Sequence, residues 1–270
     1  MNRIVALCAL LLSGCTFHVS HPPAPFTESA ILLAKDSLDL RLLPPSQKTV
    51  KPILILFATG DGGWRGLDQD VFARIGKRGY AVAGFNAKSY LKAMNKVSDT
   101  TTPPELAADF ERIIQFAEQS MNLPSETPVI LVGISRGAGL VSIAAGQEAM
   151  RHHLAGIIAI ALGDVEEHVM HRRRGAWRSE WVSVETYKYL RRLVDLPIEI
   201  IQSTRDKYTT AVRARELLGT DTPTHHLHPI EAKNHTFGDA IPALLAQLQD
   251  SLDRLMDAGN RTHLNISGQP

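Results

Sequence analysis

Cysteine is nearly missing from this chain: its 270 residues include two, Cys8 and Cys15. That scarcity excludes a fold held together by disulfides. A surplus of one charge is missing as well, because 29 Lys and Arg face 28 Asp and Glu for a net +1. A dedicated nucleic-acid binder would carry a strongly basic surface, so that class is set aside. No apolar run approaches the ~20 residues that a membrane-spanning helix needs. Internal repeats are absent, and low complexity is confined to one proline-rich stretch near the N-terminus. What is present, 44% hydrophobic and 21% charged residues, suits one globular domain with a sizeable core.

The N-terminus carries an address. Arg3 precedes the apolar run Ile4 to Leu12, which is too short to span a bilayer and fits a secretory signal peptide. Leu12-Ser13-Gly14-Cys15 resembles the lipobox cut by the bacterial lipoprotein signal peptidase. The resemblance implies loss of residues 1–14, Cys8 among them, and a diacylglyceryl thioether on Cys15. A periplasmic protein anchored in a membrane by this lipid is expected, and Thr16 after the cysteine favours the outer membrane. Pro22, Pro23 and Pro25 mark residues 15–36 as a semi-extended tether. The catalytic domain is then expected over 37–258, followed by a tail over 259–270.

Within that domain, apolar runs alternate with helical patterns. Leu38 to Leu42 alternates like an edge strand; Ile53 to Phe57, Ala81 to Phe85, Val129 to Val132, Ile157 to Leu162 and Ile198 to Ile201 read as buried strands. His225 to Ile230 is a last strand, before a helix from about Asp239 to Met256. Leu106, Phe110, Ile113 and Ile114 form the apolar face of a helix opened by Pro103-Pro104. This β-α alternation implies a mostly parallel sheet with helices on both faces. Ligands in such sheets sit at the carboxyl ends of the strands.

At one such end stands Gly133-Ile134-Ser135-Arg136-Gly137, the G-x-S-x-G of a nucleophile elbow and the mark of an α/β-hydrolase fold. The serine occupies a sharp strand-to-helix turn, and the glycines let neighbouring backbone pass. An alcohol needs a base to become nucleophilic, and the base needs an orienting acid. In this fold the order along the chain is Ser, acid, His. Asp206 follows the strand at Ile198 to Ile201, and His235 lies in the loop after the last strand. Asp164, also just past a strand, is the alternative acid. The N–H of Arg136 and that of Asp61 or Gly62, in Gly60-Asp61-Gly62-Gly63-Trp64, are the candidate oxyanion donors.

The other histidines are assigned less. His225, His226 and His228 read as structural. His168 and His171 near Glu166 and Glu167 have the look of metal ligands without a clear third partner. No metal and no cofactor are expected.

The pairing of Gly60-Asp61-Gly62-Gly63-Trp64 with Gly133-Ile134-Ser135-Arg136-Gly137-Ala138 resembles the VirJ/AcvB family of bacterial exported proteins. Leu67-Asp68 and Lys88-Ser89-Tyr90 add to the likeness, which runs from about Ile53 to Leu255. The resemblance implies an α/β-hydrolase that removes the amino acid from aminoacyl-phosphatidylglycerol, with serine, acid and histidine at Ser135, Asp206 and His235. It also implies a phospholipid substrate at the membrane surface and a functional link to an aminoacyl-phosphatidylglycerol synthase. Ile134 and Arg136 stand where aromatics are common in the family, and Asn234 precedes the histidine. Asp61, Asp164 and Trp64 are the candidate substrate-binding residues, the carboxylates serving a cationic amine, with Glu166 and Glu167 at the same end of the sheet. His171-Arg172-Arg173-Arg174, Trp177, Arg178 and Trp181 lie in an insertion between about 164 and 195 that reads as a small cap. Two rivals remain, a general envelope esterase or lipase and a non-catalytic secretion accessory.

Overall fold

The computed structural model describes residues 26–46, 52–94, 101–171 and 180–266, with side chains at 168–182 and 258–266 left out. The signal segment, Cys15, and Arg172, Arg173, Arg174, Trp177 and Arg178 lie outside the described residues, and Trp181 contributes only backbone.

Strands β1 (Thr27–Leu32), β2 (Ser37–Leu43), β3 (Leu54–Ala58), β4 (Ala81–Phe85), β5 (Val129–Ile134), β6 (Leu154–Ile160), β9 (Ile198–Ser203) and β10 (His225–Ile230) form one sheet. Their order is β1-β2-β4-β3-β5-β6-β9-β10. From β4 to β10 neighbours are parallel, while β2 meets β4, and β1 meets β2, antiparallel. Strands β3, β4, β5 and β9 are buried at every position, as expected of parallel strands covered on both faces.

The two faces separate cleanly along β5. Val129 and Leu131 pack into a core with Phe110 and Ile113 of α3 (Pro103–Ser120), Leu140 of α4 (Arg136–Ala145) and Ala214 of α6 (Ala211–Leu218). Ile130, Val132 and Ile134 face the other core, with Val71, Phe72 and Ile75 of α1 (Leu67–Gly76) and Leu244, Leu248 and Leu252 of α7 (Ile241–Ile266). Helix α2 (Ala87–Met94) adds Tyr90 to the first core. Helix α3 begins with the capping box of Thr102 and Glu105, which satisfies two of its orphan donors.

Two boundaries move from the sequence reading, and one helix is added to it. The sheet edge is β1, not β2, so Thr27–Leu32 belongs to the domain and not to the tether; Ile31 and Leu33 enter the core. The final helix runs to Ile266, past the tail expected from 259. Helix α6 had no strong apolar period, because its short sequence buries only Ala211, Ala214 and Leu218.

The insertion between β6 and β9 forms an antiparallel pair, β7 (Val165–His171) with β8 (Glu180–Glu185), and α5 (Thr186–Leu190). Thr186 and Tyr187 tie it down: the Thr186 N–H donates to the Asp164 carbonyl at 3.1 Å, and Tyr187 is 2% exposed.

One buried charge cluster joins β9, β10 and α7. Glu199, 2% exposed, accepts from Arg254 Nη2 at 2.7 Å and from Ser251 Oγ at 3.1 Å, and its carboxylate lies 2.5 Å from His228 Nε2. Burial alone would raise its pKa, but the hydrogen bonds from His228 and Arg254 win and hold it below the ordinary glutamate value. Arg254 keeps one side in solvent, which reduces the cost of stranding it. Glu199→Ala is therefore expected to cost about 2–3 kcal/mol, under the usual loss for breaking a buried pair. Urea unfolding measures it.

Candidate active site

The chain turns sharply at Ser135, with φ +52° and ψ −115°, between the end of β5 and the first residue of α4. A non-glycine residue at such φ is strained. The flanking glycines make the turn sterically allowed. A Cβ on Gly133 would sit 2.4 Å from the carbonyl of Gly137, and one on Gly137 would sit 2.2 Å from the Ala58 oxygen. Helix α4 thus packs directly on β3, and Ser135 projects at its N-terminal end, where developing negative charge is favoured.

His235 and Asp206 reach this serine from the loops after β10 and β9, which lie beyond β6 in the sheet. Asp206 follows β9, and its Oδ1 accepts the Tyr208 N–H at 2.8 Å, an Asx turn that fixes the carboxylate. Oδ2 accepts from Gln202 Nε2 at 3.1 Å and lies 2.6 Å from His235 Nδ1. His235 Nε2 is 2.7 Å from Ser135 Oγ. With Asp206 accepting the Nδ1 proton, Nε2 is left with its lone pair towards the serine. Asp206 is 3% exposed. The loop carrying His235 is pinned by Phe237, fully buried at φ +53°. Asn234, unusual for the resembled family, accepts the Thr236 N–H at 3.1 Å and so shapes the same turn.

Asp164 takes no part in this chain of bonds. Its N–H donates to Thr209 Oγ1 at 2.8 Å, and its carboxylate lies 3.9 Å from Arg213 Nε. It faces the cleft instead.

Arg136 begins α4, so its N–H lies in the first turn, without an intrahelical acceptor. Across from it, the Gly60 N–H is taken by Asp68 Oδ1 at 2.7 Å and the Gly63 N–H by the Gly60 carbonyl at 3.1 Å. The Asp61 and Gly62 N–H groups remain the candidate second donors. Arg136 also ties this loop to the insertion: its Nε donates to Asp61 Oδ1 at 2.6 Å, and Nη1 pairs with Glu166.

A cleft of about 810 Å³ opens over Ser135 and His235. Among the described residues, five carboxylates line it (Asp61, Asp68, Asp164, Glu166 and Glu167) against two arginines, Arg65 and Arg136. Burial, opposed by Arg136 and assisted by Asp61 and Glu167, pushes Glu166 up to about 7. Burial likewise lifts Asp68 to about 6, against the pull of the Gly60 N–H. Even with both protonated, acids outnumber arginines. The described part of the lining suits a cationic ligand.

Trp64 is the correction. Its indole packs 5.0 Å from Phe72 and 5.9 Å from Phe57, with the Arg41 guanidinium 4.4 Å over the ring. It is not among the described residues that line the cleft; it braces the base of the loop. The histidine readings divide. His225 Nε2 meets the Leu193 carbonyl at 2.9 Å and His228 joins the Glu199 cluster, whereas the side chains of His168 and His171 lie outside the described residues.

Asp68, Gln202 and Tyr208 were not singled out by the sequence as site residues. The Tyr208 ring stands edge-on to His235 at 4.8 Å. Asp68 carries a pH signature. Between its free value of 3.8 and about 6, the folded chain holds a proton that the unfolded chain has released. Its contribution to stability is thus full below pH 4 and is lost as pH rises through about 6. Asp68→Asn can still accept from Gly60 and is expected to gain about 2 kcal/mol at pH 8 and nothing at pH 4. Thermal unfolding at the two pH values checks it.

Known proteins resemble this chain in fold. Residues 52–169 match the family model described as bacterial virulence protein (VirJ). The structure is similar to Est1E from Butyrivibrio proteoclasticus, with TM-score 0.61 and 13% identity over 85% of this chain and 99% of that one. It is similar to an α/β serine hydrolase without lid from Xanthomonas campestris, with TM-score 0.56 and 16% identity over 87% and 97%. The esterase domain of a Rhodothermus marinus protein gives TM-score 0.58 and 16% identity over 85% and 98%. No curated protein matches the chain. The fold is that of the α/β-hydrolases.

Proposed function

From the match of residues 52–169 to the VirJ family model, we propose that this chain is a lipid-anchored periplasmic serine hydrolase that frees the amino acid from aminoacyl-phosphatidylglycerol. The observation that carries this reading is the hydrogen-bonded series Ser135, His235, Asp206 opening into a cleft richer in acids than in bases.

The chemistry follows from the atoms in place. Ser135 Oγ attacks the ester carbonyl while His235 Nε2 takes its proton. Asp206 holds the ring and stabilises the imidazolium. The carbonyl oxygen becomes an oxyanion against the N–H of Arg136 and that of Asp61 or Gly62. When the intermediate collapses, the C–O bond to the lipid glycerol breaks and the imidazolium gives that oxygen its proton. The aminoacyl group is left on Ser135. Water then repeats the sequence through His235, releasing the amino acid and restoring the serine.

An α-ammonium beside the scissile carbonyl distinguishes this substrate from a neutral ester, and the carboxylates Asp61, Asp164, Glu166 and Glu167 give it a counter-charge. The anchor on Cys15 would hold the enzyme at the lipid surface, the outer membrane being favoured by Thr16. Such an enzyme works opposite a synthase that loads the same lipid.

The test uses purified protein and phosphatidylglycerol vesicles carrying alanyl- or lysyl-phosphatidylglycerol. Release of the free amino acid is expected, falling at least about tenfold when the amine is acetylated, because a desolvated charge pair is then lost. Equal turnover of both forms would instead favour a general esterase, the activity named for the Rhodothermus domain. No turnover of either would favour the secretion accessory.

A further inference from the structure

A second cluster of chemistry-bearing side chains lies at the opposite end of the sheet. Glu111, on α3, meets His152 and His153, in the turn between the short 3-10 helix (Glu148–Met150) and β6. One ligand-capable atom from each of the three falls within 4.8 Å of the others. Consecutive side chains of a strand point to opposite faces, yet this turn keeps both imidazoles on one side, with ring centroids 3.9 Å apart. The turn is held by the His153 N–H on the Met150 carbonyl at 3.2 Å and by the Val129 N–H on the His153 carbonyl at 2.8 Å.

His153 is 9% exposed, and its Nδ1 has no hydrogen-bond partner among the described residues. A buried polar atom left unpaired is uncommon and calls for a reason. Two imidazoles and a carboxylate are the donor set of many zinc sites, including those that leave a fourth position to water. We infer that Glu111, His152 and His153 bind one divalent first-row metal ion, zinc being the probe of choice.

The fit needs little movement. Bonds of about 2.0–2.2 Å in tetrahedral geometry bring ligand atoms to roughly 3.3 Å from one another. Glu111 is half-buried and His152 is exposed, so these two can close the gap onto the fixed His153. The ion would clamp the middle of α3 to the point where β5 and β6 begin. Ser135 stands at the other end of β5, about 20 Å away for a strand of six residues at ~3.3 Å each. The metal would therefore brace the fold and take no part in hydrolysis.

The experiment titrates full-length protein, purified in detergent and stripped with chelator, with Zn2+ alone by calorimetry, and with Co2+ alone by visible absorption. Glu111→Gln and His152→Gln change side chains that reach solvent, and circular dichroism verifies that each variant folds. One equivalent of Zn2+ that raises Tm is expected, with affinity at least about tenfold weaker in each variant, since loss of even an outer-shell partner costs that much. His153→Gln should behave alike wherever it folds. Absence of binding would make the cluster a packing contact only, and binding unchanged in both variants would put the ion elsewhere; either overturns the site.

Discussion

Replacing Ser135 by alanine is expected to lower kcat for ester cleavage by about 10,000-fold or more while leaving the fold intact. The size comes from what is lost. Without Oγ no acyl-enzyme forms, and water must attack directly, with only the oxyanion donors and binding still at work. The fold should tolerate the change because alanine keeps the Cβ that the turn already accommodates at φ +52°. Removing a hydroxyl costs little beyond its 2.7 Å bond to His235. In cells the same substitution should raise aminoacyl-phosphatidylglycerol to the level of a deletion strain, measured by lipid mass spectrometry. Equal lipid levels in wild type and variant would contradict the proposed substrate. A residual rate within tenfold of wild type in vitro would contradict the nucleophile itself.

Asp206→Asn comes next in size, at roughly a thousandfold to ten-thousandfold loss in kcat. An amide can donate to His235 Nδ1 where the carboxylate accepts, and that reverses the tautomer. Nε2 then carries a proton and cannot take one from Ser135. The amide also gives the imidazolium no counter-charge. Asp164→Asn, by contrast, removes a carboxylate that touches Arg213 and the cleft but not the histidine. Its expected effect is a several-fold rise in KM for a cationic ester, with kcat little changed. Steady-state kinetics on the two variants separate the roles. A large kcat loss in Asp164→Asn would exchange them.

The contrast between those aspartates shows how much of the site was legible in the chain alone. The order Ser135, Asp206, His235 was readable because each residue follows a recognisable strand: Ser135 and Asp206 come just after apolar runs, and His235 lies in the loop after the last strand. Telling Asp206 from Asp164 needed geometry, since both lie just past a buried strand; it is Asp206 whose carboxylate lies 2.6 Å from His235. Asp68 was invisible as a site residue because it looks like any acid in a helix's first turn. Only folding shows that it holds Gly60. Trp64 misled for a related reason. A tryptophan beside a glycine-rich loop suggests a ligand contact, but its ring is better covered by Phe57, Phe72 and Arg41. Strand β1 hid behind the prolines that precede it, because an exposed edge strand buries too few residues to show a clear period.

The most direct measurement concerns the activation of one hydroxyl by one imidazole. A fluorophosphonate probe reacts with a serine only when a base removes its proton. Intact-protein and peptide mass spectrometry should find one probe adduct per chain, on Ser135, in wild type. Labelling should slow by at least about 1,000-fold in His235→Ala. An adduct on another residue, or labelling of Ser135 at the same rate without His235, would contradict the enzyme.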